Sequence, residues 1–337
     1  MRIAITADPL IPVPPENYGG IERIIDFLAT GLVKRGHQVL LAAHPSSTVN
    51  VPLLPYKNTG ANLADHLINM ATIAKIKQFK PDVLHSFSRL AYLTAFLRSS
   101  VPKIMSYQRE PTLSQIIQAV KLAKKGSLSF TGCSNYISDK IKPYATSYTV
   151  YNGVDMSKYH FMAEVNPNAP LVFLGRIEPI KGIKTAITVA IASERKLIIA
   201  GNIPAEYQGY FGEEIGPLLS QDIEYIGSVN DLQKNELLGQ CAALLMPIDW
   251  NEPFGIVMVE AMACGTPVIG FNKGSVPEVI EHGINGFRCD TQDEMIQLVQ
   301  QVKNLDRAVV RREAEKRFSS EVIIDEYLRL YNNVLHN

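Results

Sequence analysis

Short apolar runs alternate with longer amphipathic stretches along the whole chain, and that rhythm admits few folds. Residues 2–7 (RIAITA), 38–43 (QVLLAA), 82–85 (DVLH), 103–107 (KIMSY), 129–132 (SFTG) and 147–151 (SYTVY) read as strands. Between the first two, residues 21–35 place Ile21, Ile24, Ile25, Leu28 and Leu32 at helical spacing, and Gly36 follows as a helix stop. The series restarts at 171–175 (LVFLG), 197–200, 223–227, 243–246 and 267–270. Strands separated by helices need right-handed crossovers and parallel sheets covered on both faces, so the expected class is α/β.

The two series imply two domains, as does a length of 337 residues. The stretch between them, 152–170 (NGVDMSKYHFMAEVNPNAP), is polar, carries two prolines and lacks periodicity. The expected division is a first domain of 1–163 and a second of 164–317. A last amphipathic segment, 318–337, with Val322, Ile323, Tyr327, Leu330, Tyr331 and Val334 on one face, is expected to return to the first domain.

Charge follows the same division. Lys+Arg and Asp+Glu both total 33, which argues against a nucleic-acid binder. Residues 1–163 hold 18 basic and 9 acidic side chains, or +9, leaving 15 and 24, or −9, for the remainder. Cys133, Cys241, Cys264 and Cys289 form no C-x-x-C pair, which excludes a local zinc knuckle or dithiol motif and fits a reducing compartment. No run of ~20 apolar residues is long enough to span a bilayer, and the first residues lack a signal-peptide core. A cytoplasmic chain, at most peripheral on the inner face of the membrane, is expected.

The densest chemistry lies in 252–270 (EPFGIVMVEAMACGTPVIG). If a helix starts near Gly255, the amides of Phe254, Gly255, Ile256 and Val257 have no intrahelical partner and offer an anion site. Glu252 then sits in the preceding loop and Glu260 in the second turn, placed to hold hydroxyl groups. Taken alone, the pair also reads as two solvated glutamates on a capped helix. Arg176 and Lys181 follow the first strand of the second series, and ligands of parallel sheets bind at that end of the strands. An Arg fork with a Lys point charge there suits a diphosphate.

These segments, with 18–23 (YGGIER), 152–155 (NGVD), 175–182 (GRIEPIKG) and 274–287 (GSVPEVIEHGINGF), resemble the retaining GT-B glycosyltransferases of family 4, group 1. The resemblance covers essentially the full chain and is strongest from 150 to 290. It implies two facing Rossmann-like domains with parallel sheets and a cleft between them. It also implies a hexosyltransferase that takes sugar from a nucleotide-diphosphate donor, with retention and without a metal. In that frame Arg176 and Lys181 grip the pyrophosphate, Glu252 holds a sugar hydroxyl and Glu260 holds the ribose. The Gly19–Gly20 loop closes over the phosphate, and Glu22 serves its helix's first turn. Many relatives carry a His where this chain has Gln108, which can bond a hydroxyl but cannot shuttle a proton near neutral pH.

The nucleotide sugar is a substrate, and no cofactor is implied. No Asp-x-Asp is present to suggest a divalent clamp, so the metal expectation is none. The acceptor is a saccharide, lipid-linked or small molecule, with Arg109 and Glu110 as candidate contacts, and the base pocket is expected near Ser228–Asp231. His85 reads as structural, and Trp250 as either a stacking or a packing residue. The segment 116–125 (IIQAVKLAKK) presents Lys121, Lys124 and Lys125 as a solvated helix face or a contact with an anionic membrane. Two other readings stay open: a nucleotide-sugar binder without transferase activity, and a GT-B-fold epimerase or phosphorylase.

Overall fold

The computed structural model describes residues 1–16 and 19–336. The chain forms two compact units, one of Met1–Val154 with Ser320–Asn337, the other of Asp155–Ser319. Residues 155–163, grouped with the first domain by sequence, are bonded into the second unit. Arg307 Nε donates to Met162 O at 2.7 Å and Arg311 Nη1 to Tyr159 O at 3.0 Å.

The first unit runs β1 (Arg2–Thr6), α1 (Gly20–Lys34), β2 (Gln38–Ala43), β3 (Leu53–Pro55), α2 (Leu63–Ala74), β4 (Val83–Ser86), β5 (Lys103–Tyr107), α3 (Leu113–Leu122), β6 (Leu128–Gly132), α4 (Asn135–Ile141) and β7 (Ser147–Thr149). Its seven strands lie in the order β3-β2-β1-β4-β5-β6-β7, every neighbour parallel. The central strands are buried, as expected for a sheet covered on both faces.

The second unit runs β8 (Leu171–Leu174), α5 (Ile183–Ala192), β9 (Leu197–Ala200), β10 (Ile223–Tyr225), α6 (Asp231–Gln240), β11 (Ala243–Met246), α7 (Ile256–Ala263), β12 (Val268–Phe271), β13 (Gly286–Cys289), α8 (Gln292–Val299) and α9 (Arg307–Phe318). Its six strands take the order β10-β9-β8-β11-β12-β13, again all parallel. Leu171, Phe173, Leu197, Ile199, Leu245 and Ile269 fill one face against α5 and α8. Strands β3 and β13 escaped the sequence reading: β3 is three residues closed by a proline, and β13 has only one long apolar side chain.

The chain ends in α10 (Ser320–His336), which belongs to the first unit and packs on α1. Gly31 makes that approach possible, because a Cβ there would lie 2.3 Å from Ile324 Cδ1. Arg35 ties the rim to Glu321 and Asp325. His85 is fully buried, with Nδ1 at 2.7 Å from Tyr331 Oη and Nε2 at 2.7 Å from Ser106 Oγ. Burial pushes its pKa down to about 3, so this histidine is a neutral tether between β4, β5 and α10.

Candidate active site

The loops after β8 and β11 meet through a glycine. Gly182 has φ 76° and a Cβ there would lie 1.8 Å from Pro247 O, so only glycine lets the 176–182 loop press against the end of β11. The contact carries Lys181 to the loop that precedes α7. There Lys181 Nζ donates to Glu252 Oε2 at 2.8 Å, and Trp250 Nε1 donates to the same oxygen at 3.1 Å. The ammonium also stands 4.7 Å from the centre of the Trp250 ring. The indole is therefore a donor and a cation platform. Ser275 N–H bonds Glu252 O at 2.9 Å, so the 274–287 segment braces the glutamate's own backbone.

Helix α7 begins directly after Gly255, which takes a left-handed conformation at φ 73°. A Cβ would come within 2.8 Å of Met246 Cε and Met258 Cε. Because glycine caps this helix, its N-cap residue puts no side-chain oxygen on the first amides. By contrast α2, α4, α6, α8 and α9 all carry side-chain caps, from Asn62, Ser134, Asn230, Thr291 and Asp306. Ile256 and Val257 open the helix, and Phe254 packs its buried ring edge-on against Phe318.

Glu260 lies in the second turn of α7 with only 8% of its surface exposed. Its Oε1 accepts from Lys234 Nζ and, at 2.8 Å, from Tyr159 Oη. Lys234 also stands 3.3 Å from Asp231 Oδ1, which ties Glu260 to the Ser228–Asp231 segment. Arg176 takes a different carboxylate from Lys181. Its Nη2 donates at 2.9 Å to Glu178, a residue 4% exposed. Sequence reasoning missed Glu178, Lys234 and Tyr159 as partners of the expected residues.

In the first unit, Gly19 is the N-cap of α1 and Gly20 its first residue, with no side-chain cap. Tyr18 of the Y-G-G run lies outside the described residues. Glu22 is buried in the first turn, and burial holds its carboxyl above the usual carboxylate range. Gln108 follows β5, and its Oε1 accepts from Asn152 Nδ2 at 2.7 Å, so N-G-V-D supplies the group that orients this glutamine. Arg109 is exposed. Glu110 is engaged by Lys140 at 2.6 Å and by the Tyr136 hydroxyl.

Contrary to the helix face expected from the sequence, Lys121, Lys124 and Lys125 do not share one, because α3 stops at Leu122 and Ala123 is extended. Lys124 N–H then bonds Leu97 O at 2.8 Å, and the last two lysines lie in the following turn. All three are exposed, beside Leu122 at 53% and Val120 at 37% exposure.

Residues 162–320 match the family described as "Glycosyl transferases group 1", and residues 18–158 match "Glycosyltransferase Family 4". The chain belongs to the group 1, family 4 glycosyltransferases. The glycosyltransferase is 26% identical over 226 residues to N-acetyl-alpha-D-glucosaminyl L-malate synthase of Bacillus anthracis, an alignment spanning 60% of this chain and 58% of that one. It is 25% identical to glycogen synthase of Mycobacterium tuberculosis, over 83% of this chain and 81% of the relative. Anabaena Alr3699/HepE, solved in complex with UDP and glucose, superposes with a TM-score of 0.76 at 19% identity, covering 99% of this chain and 100% of that one. That likeness shows the GT-B fold.

No helix among the described residues is long and apolar enough to cross a membrane. The glycosyltransferase keeps its four cysteines buried, and burial pushes the thiols of Cys241, Cys264 and Cys289 up to about 12. At neutral pH these three thiols are protonated.

Proposed function

We propose that this glycosyltransferase moves a hexose from a nucleotide-diphosphate donor to an acceptor hydroxyl, with retention and without a metal ion. The observation that carries the reading is the ion pair of Lys181 with Glu252 beside the glycine-capped start of α7. It joins a cation, a carboxylate and a helix start that lacks a side-chain cap, which is what a glycosyl diphosphate requires.

Lys181 Nζ has three donors, of which Glu252 uses one, leaving others for a diphosphate oxygen. Arg176, 44% exposed, adds a second cation. The amides of Phe254, Gly255, Ile256 and Val257 orient the phosphate and sugar, Glu252 accepts from a sugar hydroxyl, and Glu260 accepts from the ribose. In the first unit, Gly19 and Gly20 offer amides to an anion, and Gln108 donates its amide N–H to a hydroxyl, since its oxygen is held by Asn152.

In the transfer step the bond from the anomeric carbon to the diphosphate oxygen breaks as the acceptor oxygen bonds that carbon on the same face. The departing phosphate oxygen takes the acceptor's proton, and the cations offset the charge that builds on it. Gln108 positions the sugar and carries no proton. A relative of the same fold that binds UDP and glucose supports the donor class.

The test is a thermal-shift panel of UDP, GDP and ADP with their glucose derivatives. One diphosphate and its sugar should raise the melting temperature with rising concentration, as mass action demands. A flat response across the panel would remove the donor reading. No nucleotide release with any acceptor would favour a binder, and release without an acceptor would favour an epimerase or a phosphorylase.

The acceptor is proposed to lie at an anionic membrane surface, met by Lys121, Lys124 and Lys125 with Leu122 between them. Each lysine near such a surface contributes about 1 kcal/mol. Replacing all three with Gln should cut binding to vesicles containing anionic lipid by at least half in a flotation assay. Binding that is unchanged, or absent from the start, defeats this contact.

A further inference from the structure

The two glutamates of the E-x7-E pair are held in the same manner, by groups of which the transfer reaction above uses only Lys181. Glu252 receives Lys181 Nζ and Trp250 Nε1 on one oxygen, Oε2. Glu260 receives Lys234 Nζ and the Tyr159 hydroxyl on one oxygen, Oε1. In each case the ammonium also lies over the ring of the partner aromatic, at 4.7 Å for Trp250 and 6.0 Å for Tyr159. The side chains of both ion pairs are 10–19% exposed, so water competes little for these bonds. Among the described residues no hydrogen bond reaches the second oxygen of either carboxylate.

A carboxylate turns freely about its last carbon–carbon bond unless something fixes its plane. Two donors converging on one oxygen do so, and they leave the other oxygen as the acceptor that faces a ligand. The lysine alone would not suffice, because an ammonium is a point charge that follows either oxygen. The directional donor in each clamp is the aromatic one, an indole N–H or a phenol O–H.

We propose that Trp250 and the Tyr159–Lys234 pair are positioning residues. Each selects which carboxylate oxygen is offered to the donor: Trp250 for the sugar hydroxyl at Glu252, Tyr159 and Lys234 for the ribose at Glu260. The proposal rests on the donor reading above, and it separates two functions that the glutamate pair otherwise shares.

Trp250 is the only tryptophan in the chain, so the protein carries its own reporter. Relative to the wild type, Lys181→Met and Glu252→Gln should each shift the emission maximum, because each changes a group touching the indole. Unchanged emission in both variants overturns the clamp, whatever the protein binds. Kinetics and calorimetry with UDP and UDP-glucose then test the division of labour. Trp250→Phe keeps the ring and loses the N–H, and it should lower kcat about tenfold while UDP affinity stays constant. Tyr159→Phe should weaken UDP and UDP-glucose together, about tenfold, with kcat retained. Trp250→His, which restores a ring N–H, should recover part of the lost kcat. If both Phe variants lower the melting temperature and change kcat and affinity alike, the residues are merely structural and the proposal fails. If neither changes anything, it fails as well. A wild type that binds neither UDP nor the GDP and ADP probes removes the donor reading, and the emission result then decides the clamp by itself.

Discussion

Lys181→Ala should lower sugar transfer about 100- to 1,000-fold, the range for losing one donor aimed at developing charge in a screened site. Folding should change far less. The reason is local: Lys181 is 19% exposed, pairs with Glu252 at 2.8 Å and stands on the Trp250 ring, so its charge is fixed before any ligand arrives. A preset cation needs no reorganisation when the diphosphate leaves. Glu252→Ala should produce a loss of similar size by a second route, because it removes the sugar contact and releases the ammonium from its position. Arg176→Ala should cost less, since that guanidinium is 44% exposed and water screens it. Initial rates at saturating donor, taken beside melting temperatures, check the ordering. Lys181→Ala and Glu252→Ala both retaining near-normal transfer would remove these roles.

Arg307→Met should produce the largest loss of stability, about 4 kcal/mol. This side chain is 7% exposed and lies in a helix otherwise rich in charge, yet its acceptors are almost all backbone carbonyls. It donates to Met162 O at 2.7 Å, Cys241 O at 3.0 Å, Gly239 O at 2.8 Å and the Thr266 hydroxyl at 2.7 Å. Gly239 belongs to the last turn of α6, and Cys264 O, at 3.5 Å, closes α7, so the cation sits where two helices end with negative partial charge. Burial pushes its pKa down to about 10, still far above neutrality, so the charge persists. Methionine would leave these carbonyls without a donor, each at about 1–3 kcal/mol before relaxation. For a unit of this size the melting temperature should fall by about 10 °C. Arg307→Lys should recover only part of it, because an ammonium cannot span a fork of acceptors. A loss under about 1 kcal/mol by denaturant titration would contradict this account.

What could be read in the sequence, and what could not, follows from distance along the chain. The buried strands carry their own signal, since a parallel sheet covered on both faces demands short continuous apolar runs such as LLAA in β2 and ALLM in β11. Gly255 and the start of α7 were legible for the same local reason. The ion pair of Lys181 with Glu252 joins residues 71 apart, and Tyr159 meets Glu260 across 101. No periodicity encodes either. Arg307 was hidden because RAVVRREAEKRF reads as a solvated helix, and only the carbonyls around it show otherwise. The lysines after α3 misled in the opposite direction. Apolar spacing extended the helix to 125, whereas the Lys124 amide is drawn away by Leu97.

The return of α10 to the first sheet has a consequence for biogenesis. When residue 154 leaves the ribosome, all seven strands of that sheet have been made, yet Gly31 and His85 still lack the cover that Ile324, Tyr327 and Tyr331 supply. Another 165 residues must be synthesised before that cover exists, and the second unit can mature in the interval. The nascent amino-terminal half thus waits with an oily seam open, which makes it a client for chaperones and the less forgiving half to truncate.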